Sequence, residues 1–304
     1  METLLVIGGS GLLGSKLAIT GRDAYKVVAT YRTVAPKIGR VSFVELHKER
    51  VEDGLALVRK VKPAVVVDTA AFHNVDQAEE EREAAWQVNA GSTGALARAA
   101  TDVGARYLFV STDFVFDGAK GHYKEDDVAR PVNYYGETKL AGEHAVMAAS
   151  GDHLVVRPSV VYGWDDTRLN FATWILTSLR EAKSVNVVTD WIGSPTLADG
   201  LAAGILKLME VPDGGIYHLA RGDAMSRYDF AVRLAKAFGL ETKLIKPVTS
   251  AELAMKARRP PDSSLANVRA KRHRITVVGA DEGIAAMKAQ RDLESFVPPA
   301  RFKS

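Results

Sequence analysis

Short apolar runs alternate with amphipathic stretches through the first half of the chain. Residues 4–7 and 64–67 are continuously apolar, the pattern of a strand that is covered on both faces. We predict strands over residues 4–7, 26–31, 41–46, 64–69 and 107–111, with a helix from about Leu12 and further helices between the later strands. This alternation is typical of parallel βαβ units, so we expect an α/β fold with a doubly wound parallel sheet.

The regular alternation weakens after residues 155–158. Turn-forming sequences interrupt it at residues 162–165 and 211–215, and further helices are predicted over residues 226–238 and near 281–296. We therefore divide the chain into a doubly wound domain over residues 1–160 and a smaller α/β lobe over residues 161–304. Segments of about residues 185–215 are expected to return to the first domain.

Three glycines follow the first predicted strand and open the first predicted helix. Gly8, Gly11 and Gly14 are spaced for a tight turn, close backbone approach to a pyrophosphate, and packing of the helix against the strand. The helix N-terminus adds free N–H groups and a positive dipole end. The context favours a Rossmann-type dinucleotide site over an ordinary glycine-rich turn. The candidate cofactor-binding residues of this loop are Gly8, Ser10, Gly11, Leu12, Leu13 and Gly14.

The end of the second strand distinguishes between the two nicotinamide dinucleotides. An enzyme that uses NADH usually places Asp or Glu there for the ribose 2′-hydroxyl, whereas this chain has Arg32, with Lys37 and Arg40 nearby. No carboxylate is available in this segment. We predict that Arg32 meets a 2′-phosphate and that the cofactor is NADPH. The alternative is a solvated Arg32, in which case NADH binds as well.

Residues suited to proton transfer follow the fifth predicted strand. Ser111, Thr112 and Asp113 end that strand at the carboxyl edge of the sheet, where doubly wound folds bind ligands. If the segment downstream is helical, Tyr135 and Lys139 lie one turn apart on one face. A phenol has a pKa of about 10, and we expect the Lys139 ammonium to lower it. Thr112 can hydrogen-bond the same substrate oxygen, so the set suits ketone reduction with Tyr135 as proton donor.

The charges of the chain nearly cancel. Its 40 Lys and Arg residues against 37 Asp and Glu residues give a formal net charge of +3, so we expect neither a nucleic acid nor a membrane surface as partner. The chain has 0 Cys, which excludes zinc–thiolate sites and thiol nucleophiles. Histidines and carboxylates show no metal-ligand spacing, so no metal site is predicted, and an accessory Mg²⁺ stays open. Without a signal peptide or a long apolar stretch, we expect a cytoplasmic protein.

Taken together, these residues resemble the extended short-chain dehydrogenase/reductases, and within them the dTDP-4-dehydrorhamnose reductase family. The similarity runs through nearly the whole chain. Its landmarks are residues 8–14, 68–72, 75–79, 88–89, 111–118, 135–143, 193–196, 216–219 and 257–260.

The resemblance implies roles for individual residues. Catalytic residues would be Tyr135, Lys139, which also anchors the ribose, Thr112 and Asp113. Cofactor contacts would include Ala70, Ala71, Tyr135 and Lys139, with Arg157 on the nicotinamide side. Substrate-binding residues would be Phe72, His73, Asp113, Val160 and Arg259, the last for a diphosphate. Val160 stands where those reductases commonly have Trp, and Phe72-His73-Asn74 replaces their Tyr or His followed by Thr; both departures fall where the sugar should lie.

The implied activity is NADPH-dependent reduction of a 4-keto nucleotide-diphosphate sugar, most simply of dTDP-4-dehydro-L-rhamnose to dTDP-L-rhamnose. Two alternatives remain open. One is a related nucleotide-sugar epimerase or dehydratase. The other is a non-catalytic NADP-binding protein that resembles the regulatory subunit of methionine adenosyltransferase. A homodimer is also left open.

Overall fold

The computed structural model describes residues 1–299, and its strands confirm the predicted alternation. The five predicted strand ranges agree with the observed ones to within one residue at each end. The strands are β1 (Thr3–Ile7), β2 (Lys26–Tyr31), β3 (Val41–Glu45), β4 (Val65–Asp68), β5 (Arg106–Val110), β6 (Leu154–Arg157), β7 (Val161–Tyr162), β8 (Val185–Val188), β9 (Ile192–Gly193), β10 (Thr196–Leu197), β11 (Gly215–His218), β12 (Met225–Ser226) and β13 (Ile245–Val248).

Helices connect and cover these strands. They are α1 (Leu12–Gly21), α2 (Val51–Val61), α3 (Val75–Glu80), α4 (Arg82–Trp86), α5 (Ser92–Asp102), α6 (Tyr134–Met147), α7 (Phe171–Arg180), α8 (Ala198–Leu208), α9 (Arg227–Ala237), α10 (Val268–Arg272) and α11 (Ala280–Gln290). A π-helical turn, Gln87–Gly91, precedes α5. Single 3₁₀ turns lie at Asp113–Val115, Thr242–Leu244, Ser250–Glu252 and Leu293–Ser295. Among the described residues, no helix combines the length and the apolar character that crossing a membrane requires.

Within residues 1–299, seven strands form one parallel sheet in the order β3-β2-β1-β4-β5-β6-β11. The chain reverses its direction of progress between β1 and β4, which are neighbours in the sheet. A crevice opens at such a reversal outside the carboxyl ends of the strands, and ligands bind there. The fold is therefore the predicted Rossmann-type doubly wound sheet.

The continuous apolar run in β1 is explained by cover on both faces of the sheet. Leu4 and Val6 belong to one buried cluster with side chains of α1 and α8. Leu5 and Ile7 belong to the opposite cluster, with side chains of α2 and α5. Full burial of each such side chain contributes roughly 1.5–3 kcal/mol. A polar residue at any of these four positions would lose that contribution and leave a buried polar group.

The second lobe is built from short elements around a separate aromatic core. Its buried cluster includes Tyr162, Trp164, Phe230 and Phe296. The prediction that residues 185–215 return to the first domain is wrong in its first part, because β8 pairs with β13 in the second lobe. The returning elements are α8, whose apolar face packs in the cluster shared with α1, and β11, which adds an edge strand beside β6.

Candidate active site

A cleft of about 580 Å³ lies at the carboxyl edge of the sheet, across the ends of β1, β2 and β4. Most of the predicted cofactor residues line it together with two of the predicted substrate residues: Gly8, Ser10, Gly11, Leu12, Arg32, Ala70, Ala71, Phe72 and His73. Two predicted loop residues lie behind this wall. Leu13 packs in the core, and Gly14 is buried against the loop itself.

The glycine loop brings the backbone of β1 against that of the β4 end. Gly8 has φ +85°, and a Cβ atom there would lie 2.7 Å from Thr69 Oγ1. A Cβ atom on Gly14 would lie 2.2 Å from the Gly8 carbonyl oxygen. Helix α1 has no side-chain cap at Gly11 and no acidic residue in its first turn. Its N-terminal N–H groups are therefore free to meet an anion, which fits a dinucleotide pyrophosphate.

Arg32 reaches the cleft from the end of β2, but it has a carboxylate partner. Its Nη2 atom lies 3.0 Å from Glu49 Oε1, and 70% of the Arg32 side chain is exposed. The segment after β2 holds no carboxylate of its own, but β3 runs beside β2 and the segment after β3 brings Glu49 to the same corner. An exposed pair of this kind contributes about 0–1 kcal/mol, so a 2′-phosphate would displace it at small cost.

Tyr135 lies in the first turn of α6, which begins where the Asn133 side chain accepts a hydrogen bond of 2.8 Å from Gly136 N. Thr112 interacts with the Tyr135 phenol and favours its ionised form, which lowers the pKa, while the Thr112 hydroxyl donates to Asp113 Oδ1. Burial nevertheless raises the pKa of Tyr135 to about 12, with Asp113 adding to the increase. The expectation that Lys139 lowers this pKa is wrong for the protein without ligand, since desolvation dominates.

Lys139 lies one turn further along α6 and is 1% exposed. Its Nζ atom donates a 2.7 Å hydrogen bond to the carbonyl oxygen of Val110, and lies 3.9 Å from the centroid of the Phe109 ring. Burial, and secondly the charge of Lys48, lower the pKa of Lys139 to about 7. Lys139 is thus held against the end of β5 rather than hydrogen-bonded to Tyr135.

A second buried lysine accompanies Lys139, and sequence reasoning missed it. Lys48 Nζ lies 2.6 Å from Asp68 Oδ2 and donates to Ala70 O (2.9 Å) and Thr93 Oγ1 (3.0 Å). Asp68 is 0% exposed. The available signal was Asp68 itself, a carboxylate at the end of an otherwise apolar strand, because a buried charge requires a partner.

Asp113 connects the two lobes. Its Oδ2 atom accepts hydrogen bonds from Ser159 (2.8 Å) and Ser263 (2.5 Å), and Oδ1 accepts one from Thr112 (3.2 Å). Burial raises the pKa of Asp113 despite these donors. With both oxygens engaged, the carboxyl group orients Thr112 in the unliganded protein.

The side chain of Arg157, a predicted cofactor contact, is engaged in a buried ion pair. Its guanidinium is bidentate to Glu143, with Nε–Oε1 2.9 Å and Nη2–Oε2 2.6 Å, and Arg157 is 3% exposed. Ser111 donates to the same carboxylate at 2.5 Å, and His218 Nε2 lies 3.4 Å from Nη1. Arg157 points into the core because Glu143, on the inner face of α6, needs a buried partner.

A second, narrow pocket lies between the lobes, where the resemblance places the sugar. Val160 lines it and has φ +47°, a strained value for a β-branched residue. Strain of this kind is often found at functional sites. The other lining residues are Phe114, Trp191, Ile192, Gly193, Arg227, Arg259, Pro260 and Ser263, and sequence reasoning missed Trp191 and Arg227.

Arg259 is in this pocket but is not free. Its Nη1 and Nη2 atoms lie 2.6 and 3.0 Å from the two carboxylate oxygens of Asp76. The two guanidinium N–H groups predicted to bind a diphosphate are therefore already hydrogen-bonded to Asp76 of α3. Since Asp76 stands in the first turn of α3, a bound diphosphate would have to replace it.

His73 meets a residue of the second lobe that the sequence did not single out. Arg168 Nη1 lies 2.9 Å from His73 Nε2, and both residues line the large cleft. Desolvation, followed by the Arg168 charge, lowers the pKa of His73, so His73 is neutral at pH 7. In the part of the chain that the structure describes, no group of three or more His, Cys, Asp or Glu side chains could hold a metal ion.

Comparison with known proteins identifies the family of this chain. The family model for the RmlD substrate binding domain matches residues 1–290. The chain is 34% identical over 270 residues to the spore coat polysaccharide biosynthesis protein SpsK of Bacillus subtilis, covering 88% of this chain and 90% of that protein. It is 38% identical over 219 residues to dTDP-4-dehydrorhamnose reductase of Escherichia coli, covering 68% and 73% respectively.

A solved structure of dTDP-4-dehydrorhamnose reductase from Bacillus anthracis, in complex with NADP, superposes with a TM-score of 0.84 at 27% identity, covering 95% of this chain and 99% of that one. The predicted cofactor class, a nicotinamide dinucleotide, agrees with that complex. These similarities confirm the predicted enzyme class, an oxidoreductase like dTDP-4-dehydrorhamnose reductase. The chain belongs to the RmlD substrate binding domain family, as its sequence motifs predicted.

Proposed function

We propose that this protein uses NADPH to reduce the 4-keto group of a nucleotide-diphosphate sugar, with dTDP-4-dehydro-L-rhamnose as the first candidate substrate. The observation that carries the proposal is that Thr112 lies close enough to the Tyr135 phenol to lower its pKa, with Lys139 one turn away on α6. None of these three residues lines the large cleft, whose glycine loop suits a dinucleotide, but Lys48 does line it and is close enough to Lys139 to lower the pKa of that residue. The relatives that are named dTDP-4-dehydrorhamnose reductase support the substrate class.

NADPH would lie in the large cleft and supply the hydride. The free N–H groups at the start of α1 would bind its pyrophosphate, and Arg32 would exchange Glu49 for the 2′-phosphate. Both interactions use groups that are solvated or weakly paired in the unliganded protein. Binding therefore breaks no buried ion pair.

Tyr135 would donate the proton to the oxygen of the reduced carbonyl. With a pKa of about 12, its phenol is protonated at neutral pH and ready to act as an acid. Thr112 would orient the same oxygen. Once the proton has left, a phenolate remains, and the nearby Lys139 ammonium would stabilise it. Because burial lowers the pKa of Lys139 to about 7, this charge is lost as the pH rises above neutral.

Tyr135→Phe tests the proposal, because it removes the acid and keeps the ring. We expect kcat for dTDP-4-dehydro-L-rhamnose to fall by about 100-fold or more, while the Kd for NADPH changes little. Consumption of NADPH is followed by its absorbance. Tyr134→Phe is the matched control, since it removes the hydroxyl of the neighbouring tyrosine. The Tyr134 ring stacks on the Arg82 guanidinium, whose Cζ atom lies 3.8 Å from the ring centroid. Full activity of Tyr135→Phe would contradict the assignment.

The same measurements separate the alternatives. An epimerase or dehydratase would convert its nucleotide sugar with no net consumption of NADPH. A regulatory protein would leave a panel of 4-keto nucleotide sugars unchanged and would co-purify with a catalytic methionine adenosyltransferase. Comparison of kcat/KM for NADPH and NADH tests the Arg32 assignment, and a clear preference for NADH would contradict it.

A further inference from the structure

One positively charged side chain of the large cleft, Arg168, has no role in the proposed mechanism. Three cationic side chains line it: Arg32, Lys48 and Arg168. Arg32 and Lys48 are paired with Glu49 and Asp68. Over residues 1–299, no carboxylate lies within 4.0 Å of Arg168. Its hydrogen-bond partner is the ring of His73, which is neutral at pH 7.

The segment that bears Arg168 is held against the glycine loop. It begins at Gly163, where a Cβ atom would lie 3.5 Å from Leu12 Cδ1 at the start of α1. It ends at Asn170, the N-cap of α7, whose Nδ2 atom donates a 2.7 Å hydrogen bond back to the Gly163 carbonyl oxygen. Between them, Asp165 Oδ1 accepts from the backbone N–H of Thr167 at 2.7 Å. These contacts place the segment beside the glycine loop, and Arg168 lines the same cleft.

Arg168 therefore shares a cavity with the N-terminus of α1 although it comes from the other lobe. A helix N-terminus carries roughly half a positive charge, whereas a pyrophosphate bridge in a dinucleotide carries about two negative ones. A guanidinium donates two parallel hydrogen bonds to phosphate oxygens and matches their geometry. The cleft thus has room and chemistry for a second cationic contact to a diphosphate.

We propose that Arg168 is a phosphate-binding residue which the second lobe contributes to the cofactor cleft, where it binds the pyrophosphate of the dinucleotide. His73 holds the guanidinium at the cleft wall before the ligand arrives. This contact links cofactor binding to the position of the lobe that holds the sugar. The inference rests on the proposed use of a nicotinamide dinucleotide.

Arg168→Gln tests the contact, because Arg168 is an exposed residue whose replacement does not disturb the core. We expect the Kd values for NADPH and NADH, measured by calorimetry without substrate, to rise about tenfold or more, as for loss of a hydrogen bond to a charged group. Adenosine 2′-monophosphate has no pyrophosphate, so its Kd should change less than twofold. Arg168→Lys keeps the charge but cannot donate two parallel hydrogen bonds, so the Kd for NADPH should rise by an intermediate amount.

Arg291→Gln is the matched control, since Arg291 Nη1 lies 2.6 Å from Asp166 Oδ1 on the same segment. It should bind NADPH as the wild type does. Equal NADPH affinity of Arg168→Gln and wild type would overturn the inference, and so would an equal loss for adenosine 2′-monophosphate. Unchanged NADPH affinity with a raised KM for the nucleotide sugar would assign Arg168 to the substrate diphosphate instead. Wild-type protein that fails to bind NADPH would refute the proposed function itself.

Discussion

Replacement of Arg157 separates a structural role from a cofactor role. The sequence motif places Arg157 beside the nicotinamide, whereas the structure buries its guanidinium against Glu143. Arg157→Met removes the charge and keeps an unbranched apolar chain. The carboxylate of Glu143, which is 0% exposed, would then keep the Ser111 hydroxyl as its hydrogen-bond donor and lose its ion pair.

The expected cost is about 3–5 kcal/mol in the free energy of unfolding, because breaking one side of a buried ion pair leaves an uncompensated charge. The total free energy of unfolding of a protein is about 5–15 kcal/mol. Urea denaturation should therefore show a large decrease in the midpoint concentration. The double variant Glu143→Met/Arg157→Met should recover much of this loss, since it removes both charges. At low temperature, where the folded state persists, the Kd for NADPH should stay within about twofold of wild type.

Arg233→Met provides the control, because Arg233 pairs with Asp281 at 2.9 Å on the surface, with 47% and 73% of the side chains exposed. It should change the free energy of unfolding by at most about 1 kcal/mol. The structural account fails if Arg157→Met is as stable as Arg233→Met. A raised Kd for NADPH in a stable Arg157→Met variant would restore the role that the sequence motif implied.

Three further predictions concern charge and packing. Lys139 has a pKa of about 7, and the proposed mechanism uses its ammonium to stabilise the phenolate, so kcat/KM for reduction should decrease as pH rises above about 7. A rate that is flat to pH 9 would contradict this role. Burial lowers the pKa of His218 to about 3, so the unfolded chain binds a proton below pH 6.5 that the folded protein does not. The free energy of unfolding should therefore fall by about 1.4 kcal/mol per pH unit between pH 6.5 and about 3 from this residue, and His218→Asn should show a shallower slope in urea denaturation at a series of pH values. Gly14→Ala should destabilise by about 3 kcal/mol or more and weaken NADPH binding, because its Cβ atom would lie 2.2 Å from the Gly8 carbonyl oxygen; normal stability would show that the loop can relax.

Local pattern sufficed for the first half of the fold. The five predicted strands are all present, since continuous apolar runs bounded by turns have few other solutions in a covered sheet. Strand pairing in the second lobe could not be predicted in this way. Val185–Val188 has the same apolar character as the sheet strands, yet it pairs with Ile245–Val248, and nothing in either segment specifies its partner.

The candidate site divides in a similar way. Glycine spacing and the Tyr135–Lys139 spacing are local, so the sequence alone located the cleft loop and the first turn of α6. Pairings between distant residues could not be read in this way. Glu49 beside Arg32, Asp68 beside Lys48 and Asp76 beside Arg259 each join segments that meet through strand order or lobe contact.

The sequence by itself determined the doubly wound sheet and the glycine loop, because these depend on periodicity and short spacing. Its motifs carried the resemblance to the family, and that resemblance implied the roles of the reactive residues. The tertiary structure alone decided the electrostatic state of those residues. Burial raises the pKa of Tyr135 and lowers that of Lys139. The packing of α6 against β6 pairs Arg157 with Glu143, and the cleft places Arg168 beside His73, with no carboxylate partner among residues 1–299. Desolvation and charge pairing depend on what surrounds a side chain in three dimensions, and the linear spacing of residues does not contain that information.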